Sequence, residues 1–156
     1  MAEHFHALRV AEVVPETDEA LSIRFDVPDH LKAAFAFRAG QHLTLRTTID
    51  GAEVRRNYSL CVAPAEGIWK VTVKRIAGGA FSNWVGEHLQ PGDTIDVMAP
   101  VGSFTTDFDP AHERRYVGIA GGSGITPILS LIRTALSIEP SSRFTLFYGN
   151  RDASSV

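Results

Sequence analysis

The first two-thirds of the chain reads as short β-type segments separated by tight turns. Positions 41–49 place Leu43 and Leu45 on one face and polar side chains on the other, and positions 69–76 alternate in the same way. Asp50-Gly51 favours the positive φ angles of a two-residue hairpin. Further strands are expected near 8–14, 21–27, 53–61 and 94–98, with turns at 15–18 and 91–93 and a short helix over 81–89.

The pattern changes near residue 113. A buried-type strand over 115–120 leads into a glycine-rich stretch, then an apolar helical spacing over 125–137 and another strand over 143–148. This is one βαβ unit, and a doubly wound domain needs several more strands. We therefore expect the second domain to be truncated and the chain to be part of a longer parent.

These patterns together predict a mainly β fold. About six short strands in roughly 100 residues suggest an antiparallel barrel with one short helix, over residues 1–112. An incomplete Rossmann-like α/β segment, the start of a NAD(P)-binding domain, follows over residues 113–156.

Composition narrows the function classes. The 156 residues are 44% hydrophobic, so the chain is expected to bury a hydrophobic core. The net charge is −3, which gives no indication of a nucleic-acid-binding surface. No apolar run is long enough for a bilayer, and the N-terminus lacks a secretory pattern, which together predict a cytoplasmic protein with no membrane contact. One cysteine excludes an internal disulfide and a cluster held by four cysteines of this chain. His4 and His6 are too few for a zinc site, so no metal is expected.

The first candidate motif is Arg56-Asn57-Tyr58-Ser59. In a strand, Arg56 and Tyr58 share a face. A guanidinium can bind a phosphate with two hydrogen bonds, and a phenol ring can lie against a planar ring system, so the pair suits a flavin dinucleotide. The alternative is an edge strand with solvated arginines and one core tyrosine.

The second candidate motif is the stretch from Val73 to Trp84, where a strand ends, two glycines turn and a helix begins. Free main-chain N–H groups at a helix start attract an anion; Gly79 would let the backbone come close and Ser82 would add a hydroxyl. An ordinary turn and helix cap is the alternative. The candidate cofactor contacts in this stretch are Val73, Lys74, Gly79, Phe81 and Ser82.

The third candidate motif is a Gly-x-Gly-x-x-Pro loop formed by Gly122, Gly124 and Pro127. A strand, a glycine turn and a helix opening at Pro127, with Thr126 as N-cap, would suit a dinucleotide pyrophosphate. The match to the standard Gly-x-Gly-x-x-Gly fingerprint is weak. Arg151 follows the next strand, where an arginine could favour the 2′-phosphate of NADPH, or could be a solvated loop residue.

Taken together, the three motifs resemble the ferredoxin–NADP⁺ reductase superfamily over essentially the whole chain. The resemblance implies that Arg56 holds the FAD pyrophosphate and that Tyr58 stacks near the isoalloxazine. It also implies that Ser59 hydrogen-bonds near flavin N5, which makes Tyr58 and Ser59 the candidate catalytic residues. In the same way it places Gly79 and Ser82 on the flavin pyrophosphate, and Gly122, Gly124 and Pro127 on the nicotinamide cofactor, with Thr126 beside the flavin edge.

Within the superfamily, the sequence is most similar to reductase components of bacterial oxygenases, of the phenylacetyl-CoA epoxidase and ketosteroid hydroxylase type. The resemblance implies an oxidoreductase that passes electrons from NAD(P)H, with NADPH slightly favoured, through FAD to an iron–sulfur protein or domain of an oxygenase system. The chain lacks the rest of the nicotinamide domain and any cluster cysteines. A non-catalytic flavin-binding module, a plain β-barrel without a cofactor, and FMN in place of FAD therefore stay open.

Overall fold

The computed structural model describes residues 4–151; the last five residues of the expected second domain, 152–156, lie outside them. Six strands and one helix come first, followed by a parallel strand pair with a second helix. In chain order these are β1 (Phe5–Thr17), β2 (Ala20–Asp26), β3 (His42–Ile49), β4 (Ala52–Ser59), β5 (Trp69–Lys74), α1 (Ala80–His88), β6 (Thr94–Met98), β7 (Arg115–Gly121), α2 (Ile125–Ile138) and β8 (Arg143–Gly149).

The six-stranded antiparallel sheet expected from the sequence is confirmed. Its order is β4-β3-β6-β1-β2-β5, and a bridge between Leu60 and Val71 joins the continuation of β4 to β5, which brings the two ends of the sheet together as a barrel. The alternating apolar side chains point inward, and Leu43, Leu45 and Val71 are fully buried. The core therefore follows from the period of two along each strand.

The hairpin between β3 and β4 also agrees with the prediction. Asp50 and Gly51 have φ angles of 50° and 78°, as a tight hairpin turn requires.

One predicted turn was wrong. Residues 15–18 were expected to form the turn before β2, but β1 continues through Pro15 to Thr17, and Pro15 pairs with Leu21. A register shift between Pro15 and Thr17 explains the difference, because an irregular ladder tolerates a residue that has no N–H to donate.

The βαβ unit is confirmed, with β7 and β8 parallel and α2 packed against them. The glycine-rich stretch from Gly122 to Gly124 forms a 3-10 turn, and α2 begins at Ile125 with Gly124 as its N-cap. Thr126 is therefore inside the first helical turn and is not the N-cap. No helix within residues 4–151 is long and apolar enough to cross a membrane.

Helix α2 is attached to the barrel just beyond the flavin-type motif. The buried Ser130 hydroxyl donates a 2.6 Å hydrogen bond to the Val62 carbonyl oxygen, and Arg133 forms a 3.2 Å ion pair with Glu66. Val62 is only three residues after Ser59, so these contacts connect the strand that carries one candidate motif to the helix that carries another. A domain boundary between residues 112 and 113, which separates the two sheets, stays a proposal.

The segment between the two sheets is held by Glu139, which is fully buried at the end of α2. Its carboxylate accepts hydrogen bonds from the hydroxyls of Ser142 and Tyr116 at 2.6 and 3.0 Å and from the Asp109 main-chain N–H at 3.1 Å, and His112 Nδ1 lies 3.1 Å away. Burial raises the pKa of Glu139, but these contacts outweigh it and lower the pKa to about 2.

We expect Glu139→Gln to lower stability most at neutral pH. Because the folded pKa of Glu139 is about 2 and its ordinary value is 4.5, the ionised carboxylate stabilises the fold above about pH 5, and this contribution is lost as pH falls toward 2. Urea midpoints measured from pH 7 to pH 2 should show wild type and variant converging at the acidic end. A difference that stays constant across this range would contradict the assignment.

Candidate functional site

A cleft of about 1150 Å³ lies between the β4 edge of the barrel and the carboxyl ends of β7 and β8. Twelve of the thirteen candidate residues named from the sequence line it. They are Arg56, Tyr58, Ser59, Lys74, Gly79, Phe81, Ser82, Gly122, Gly124, Thr126, Pro127 and Arg151. The fold thus brings together three motifs that are separated along the chain, although their individual roles stay proposals.

Strand β4 presents Arg56 and Tyr58 to the cleft. In the β3–β4 ladder Arg56 lies opposite Leu45 and Tyr58 opposite Leu43, and opposite residues in antiparallel strands share a face. That face forms the core along β3, but at β4 it is only partly covered, so Arg56 is exposed. A charged side chain can therefore occupy an inward-facing position.

Tyr58 is half-buried beside the start of α1, with its ring centroid 5.8 Å from that of Phe81. Burial raises the pKa of Tyr58 to about 12, although the nearby Arg56 charge acts in the opposite direction. The phenol therefore stays neutral over the working pH range. It offers an aromatic face and an uncharged hydroxyl to the cleft.

The turn between β5 and α1 is closed by Ser82. Its hydroxyl, which is almost fully buried, accepts a 3.2 Å hydrogen bond from the Ile76 main-chain N–H. A Cβ atom at Gly79 would lie 2.6 Å from this hydroxyl, so only glycine fits there without a shift. The result is a compact turn that leads into α1, whose first N–H groups have no acceptor within the helix.

The glycine loop before α2 is held from two sides. The Thr126 hydroxyl donates to the Ser123 carbonyl oxygen at 3.0 Å, and the Tyr148 hydroxyl donates to the Gly122 carbonyl oxygen at 3.2 Å. Gly122 has a φ of +50°, a conformation that favours glycine, and a Cβ there or at Gly124 would point into open space. The main chain of this loop is therefore accessible from the cleft.

The charges of the cleft suit phosphate groups. Lys74 pairs with Glu19 at 3.5 Å and Arg75 with Glu87 at 3.4 Å. Within residues 4–151, Arg56 and Arg151 have no carboxylate partner. One unpaired guanidinium thus lies on each side of the cleft, and together with the helix and loop N–H groups this donor set fits two pyrophosphates.

Two of the candidate side chains face away from the cleft. Val73, the candidate that does not line it, is fully buried in the barrel core, and Phe81 is only 1% exposed. Their side chains pack the barrel and α1, so any contact with a cofactor would come from their main chains.

Sequence reasoning missed three residues that shape this region. A Cβ on Gly118 would lie 2.8 Å from the Phe144 ring, so a glycine in β7 lets the two parallel strands and α2 pack closely. Ser130 connects α2 to the barrel, as described above. Asn150, at the end of β8, lines the cleft with both carboxamide atoms buried. Its place directly between Gly149 and Arg151 is the signal that could have identified it.

Comparison with known families gives two matches. Residues 7–106 match the oxidoreductase FAD-binding domain family, and residues 119–156 match the oxidoreductase NAD-binding domain family. The first match covers the barrel and the second begins inside β7.

Two similar curated proteins are, by name, parts of larger enzymes. A subunit of 1,2-phenylacetyl-CoA epoxidase from Escherichia coli is 50% identical over 97% of this chain and 43% of its own length. The ferredoxin reductase component of 3-ketosteroid-9-alpha-monooxygenase from Mycobacterium tuberculosis is 42% identical over 100% of this chain and 45% of its own length. The chain thus spans less than half the length of these relatives.

Among solved structures, phthalate dioxygenase reductase has a similar fold. It superposes with a TM-score of 0.77 at 29% identity, over 97% of this chain and 46% of its own length. That structure is described as modular, for electron transfer from pyridine nucleotides to a [2Fe-2S] group.

Proposed function

We propose, on the premise that this chain belongs to the oxidoreductase FAD-binding domain family, that it is the flavin-binding part of a reductase component. In this proposal electrons pass from NAD(P)H through FAD to an iron–sulfur protein or domain of an oxygenase system. The observation that carries it is the single cleft that joins the Arg56 strand, the Gly79 turn and the Gly122 loop. A cytoplasmic location stays a prediction.

The residues of the cleft have distinct proposed roles. Arg56 and the N–H groups at the start of α1 bind the FAD pyrophosphate, while Tyr58 covers the ring system and excludes water from one face. Ser59 offers a hydroxyl to the ring edge. When bound, FAD supplies the redox chemistry, accepting an electron pair from a reduced nicotinamide and releasing electrons singly.

The α/β side of the cleft would bind the nicotinamide cofactor. The exposed main chain of the Gly122–Gly124 loop and the N-terminus of α2 are suited to its pyrophosphate. Arg151 adds a positive charge after β8. A guanidinium at this position would bind the 2′-phosphate of NADPH and would therefore favour NADPH over NADH.

The first experiment is an absorbance spectrum of the purified protein with identification of any released chromophore. A yellow protein that releases FAD supports the proposal, and release of FMN would change the cofactor. Loss of absorbance near about 450 nm on adding NADPH would support the complete electron path. Retained FAD that NADPH does not reduce would indicate a non-catalytic flavin-binding module, and a colourless protein that does not take up FAD would overturn the proposal.

We expect Ser59→Ala to slow the reduction of bound flavin by NADPH about tenfold, because one hydrogen bond to the ring edge is lost. FAD affinity should change less, by roughly threefold at most. Stopped-flow absorbance and FAD titration measure the two effects. Ser103→Ala, at an exposed loop serine, is the control and should change neither. If FAD affinity falls and the reduction rate does not, the role of Ser59 is wrong.

A further inference from the structure

A second cavity, of about 510 Å³, lies between the outer face of the barrel and the α/β unit. Strands β2 and β5 and the segment after β4 form one wall, and α2 and β8 form the other. None of Arg56, Tyr58 and Ser59 lines it. It meets the cleft along a border formed by Thr72, Lys74, Gly122, Ser123 and Thr126. Pockets of about 300–1,000 Å³ hold small organic ligands and often lie where two structural units meet.

Much of the cavity wall is apolar. Val62 and Ile68 contribute from the barrel side, Ile125 and Leu129 from α2, and Leu146 from β8. Val62 is buried, whereas Leu146 keeps 36% of its surface exposed. Removing such a surface from water is favourable, so the wall favours an occupant with an apolar body.

The charged side chains of the cavity are already paired. Lys70 pairs with Glu16 at 3.1 Å, Arg133 with Glu66 at 3.2 Å and Lys74 with Glu19 at 3.5 Å. These pairs include every charged residue that lines the cavity within residues 4–151. A charged ligand would therefore lose water without gaining an unpaired counter-charge, and the cavity favours a neutral molecule.

A pair of hydroxyls supplies the polar part of the wall. Ser22 and Thr72 lie opposite each other in the β2–β5 ladder, with 2.8 Å between their hydroxyl oxygens. Ser22 also donates to Glu16, and this hydrogen bond is the main cause that lowers the pKa of that carboxyl. Thr72 is then the donor to Ser22, and its oxygen keeps its two lone pairs. The hydroxyl pair can therefore accept a hydrogen bond from a ligand.

We propose that this cavity is a second binding site, for a neutral and mostly apolar small molecule that carries an O–H or N–H donor. The apolar wall holds the body of the molecule, and the Thr72 hydroxyl accepts the hydrogen bond. Because the walls belong to the barrel and to the α/β unit, an occupant contacts both and strengthens their attachment. The inference does not rest on the flavin assignment.

The test uses the full chain and the fluorescent probe N-phenyl-1-naphthylamine, which is neutral and has a single N–H donor. We expect saturable binding, measured as an increase in its fluorescence. 1-Anilinonaphthalene-8-sulfonate has the same skeleton with an added negative charge and should bind at least about tenfold more weakly. When the first probe is displaced by competitors, naphthalene should bind about fivefold more weakly than 2-naphthol, because it lacks the donor.

Variants locate the bound probe. Leu129→Trp fills the cavity from α2 and Leu146→Trp fills it from β8, so each should weaken probe binding at least about tenfold and leave FAD affinity unchanged. The matched control is Leu136→Trp, on the same helix as Leu129. Leu136 is 51% exposed and does not line the cavity, so this variant should bind the probe as the wild type does.

Each contrary result has a distinct meaning. No saturable binding by the wild type, unchanged affinity in both folded cavity variants, or an equal loss in Leu136→Trp overturns the site. Equally tight binding of the sulfonate overturns the neutral ligand class, and equal binding of naphthalene and 2-naphthol overturns the role of the Thr72 hydroxyl. Displacement of the probe by FAD overturns the separation of this cavity from the cleft. Probe binding in a chain that does not bind FAD contradicts only the flavin assignment.

Discussion

Arg56→Ala is expected to weaken FAD binding about 100-fold. Arg56 is exposed to the cleft, has no carboxylate partner within residues 4–151, and donates only to the Arg55 carbonyl oxygen at 2.6 Å, so its charge is available to a ligand. Hydrogen bonds to a charged group contribute about 1.5–3 kcal/mol, and the upper value corresponds to roughly 100-fold in Kd. Quenching of FAD fluorescence on titration measures the change.

The adjacent arginine provides the control. Arg55 points to the opposite face of β4 and pairs with Glu53 at 2.7 Å, so Arg55→Ala should leave FAD affinity nearly unchanged. Arg56→Lys keeps the charge but not the planar fork and should give an intermediate affinity. Equal effects of the two alanine variants would mean that net charge, and not a specific contact of Arg56, governs binding.

Phe81→Ala is expected to destabilise the protein by about 3–5 kcal/mol, the range for truncating a fully buried aromatic side chain. Phe81 is 1% exposed at the start of α1 and packs between Tyr58 and Trp84, with ring-centroid distances of 5.8 and 6.3 Å. The cavity should also release Tyr58 from its position, so FAD affinity should fall with stability. Urea denaturation gives the first quantity and FAD titration of the folded variant gives the second.

An exposed phenylalanine provides the control, because it distinguishes the effect of burial from the effect of replacing any phenylalanine by alanine. Phe104 is 59% exposed, so Phe104→Ala should cost little stability. If Phe81→Ala costs less than about 1 kcal/mol, α1 does not depend on this side chain for its attachment to the barrel.

The buried hydrogen bond between Ser130 and Val62 connects the barrel side of the cleft to the α/β side. Helix α2 starts at the glycine loop and Val62 follows the Arg56–Ser59 strand, so the 2.6 Å hydrogen bond and the Arg133–Glu66 ion pair link the two sides of the cleft.

Much of the architecture was determined by the sequence alone. The period of two over 41–49 and 69–76 placed Leu43 and Val71 inward, and Asp50-Gly51 specified the hairpin turn, because both signals are local. The end of β1 was mispredicted for a related reason. Pro15 is a strong turn signal by itself, and only the pairing of β1 with Leu21 on β2 shows that the strand continues.

The candidate site was predictable as three motifs but not as one place. Residue types and their spacing predicted phosphate binding by the motifs that contain Arg56, Gly79 and Gly122, and contact with a ring system by the first of them. These predictions were possible because each motif consists of side chains and turns that are close together in the sequence. Only the tertiary structure decided that the three meet in one cleft, that Val73 and Phe81 face the core, and that the Asn150 carboxamide is buried without a partner within residues 4–151. These properties arise from contacts between residues far apart in the chain. Burial and hydrogen bonding therefore depend on the tertiary structure around each residue and cannot be read from local sequence periodicity.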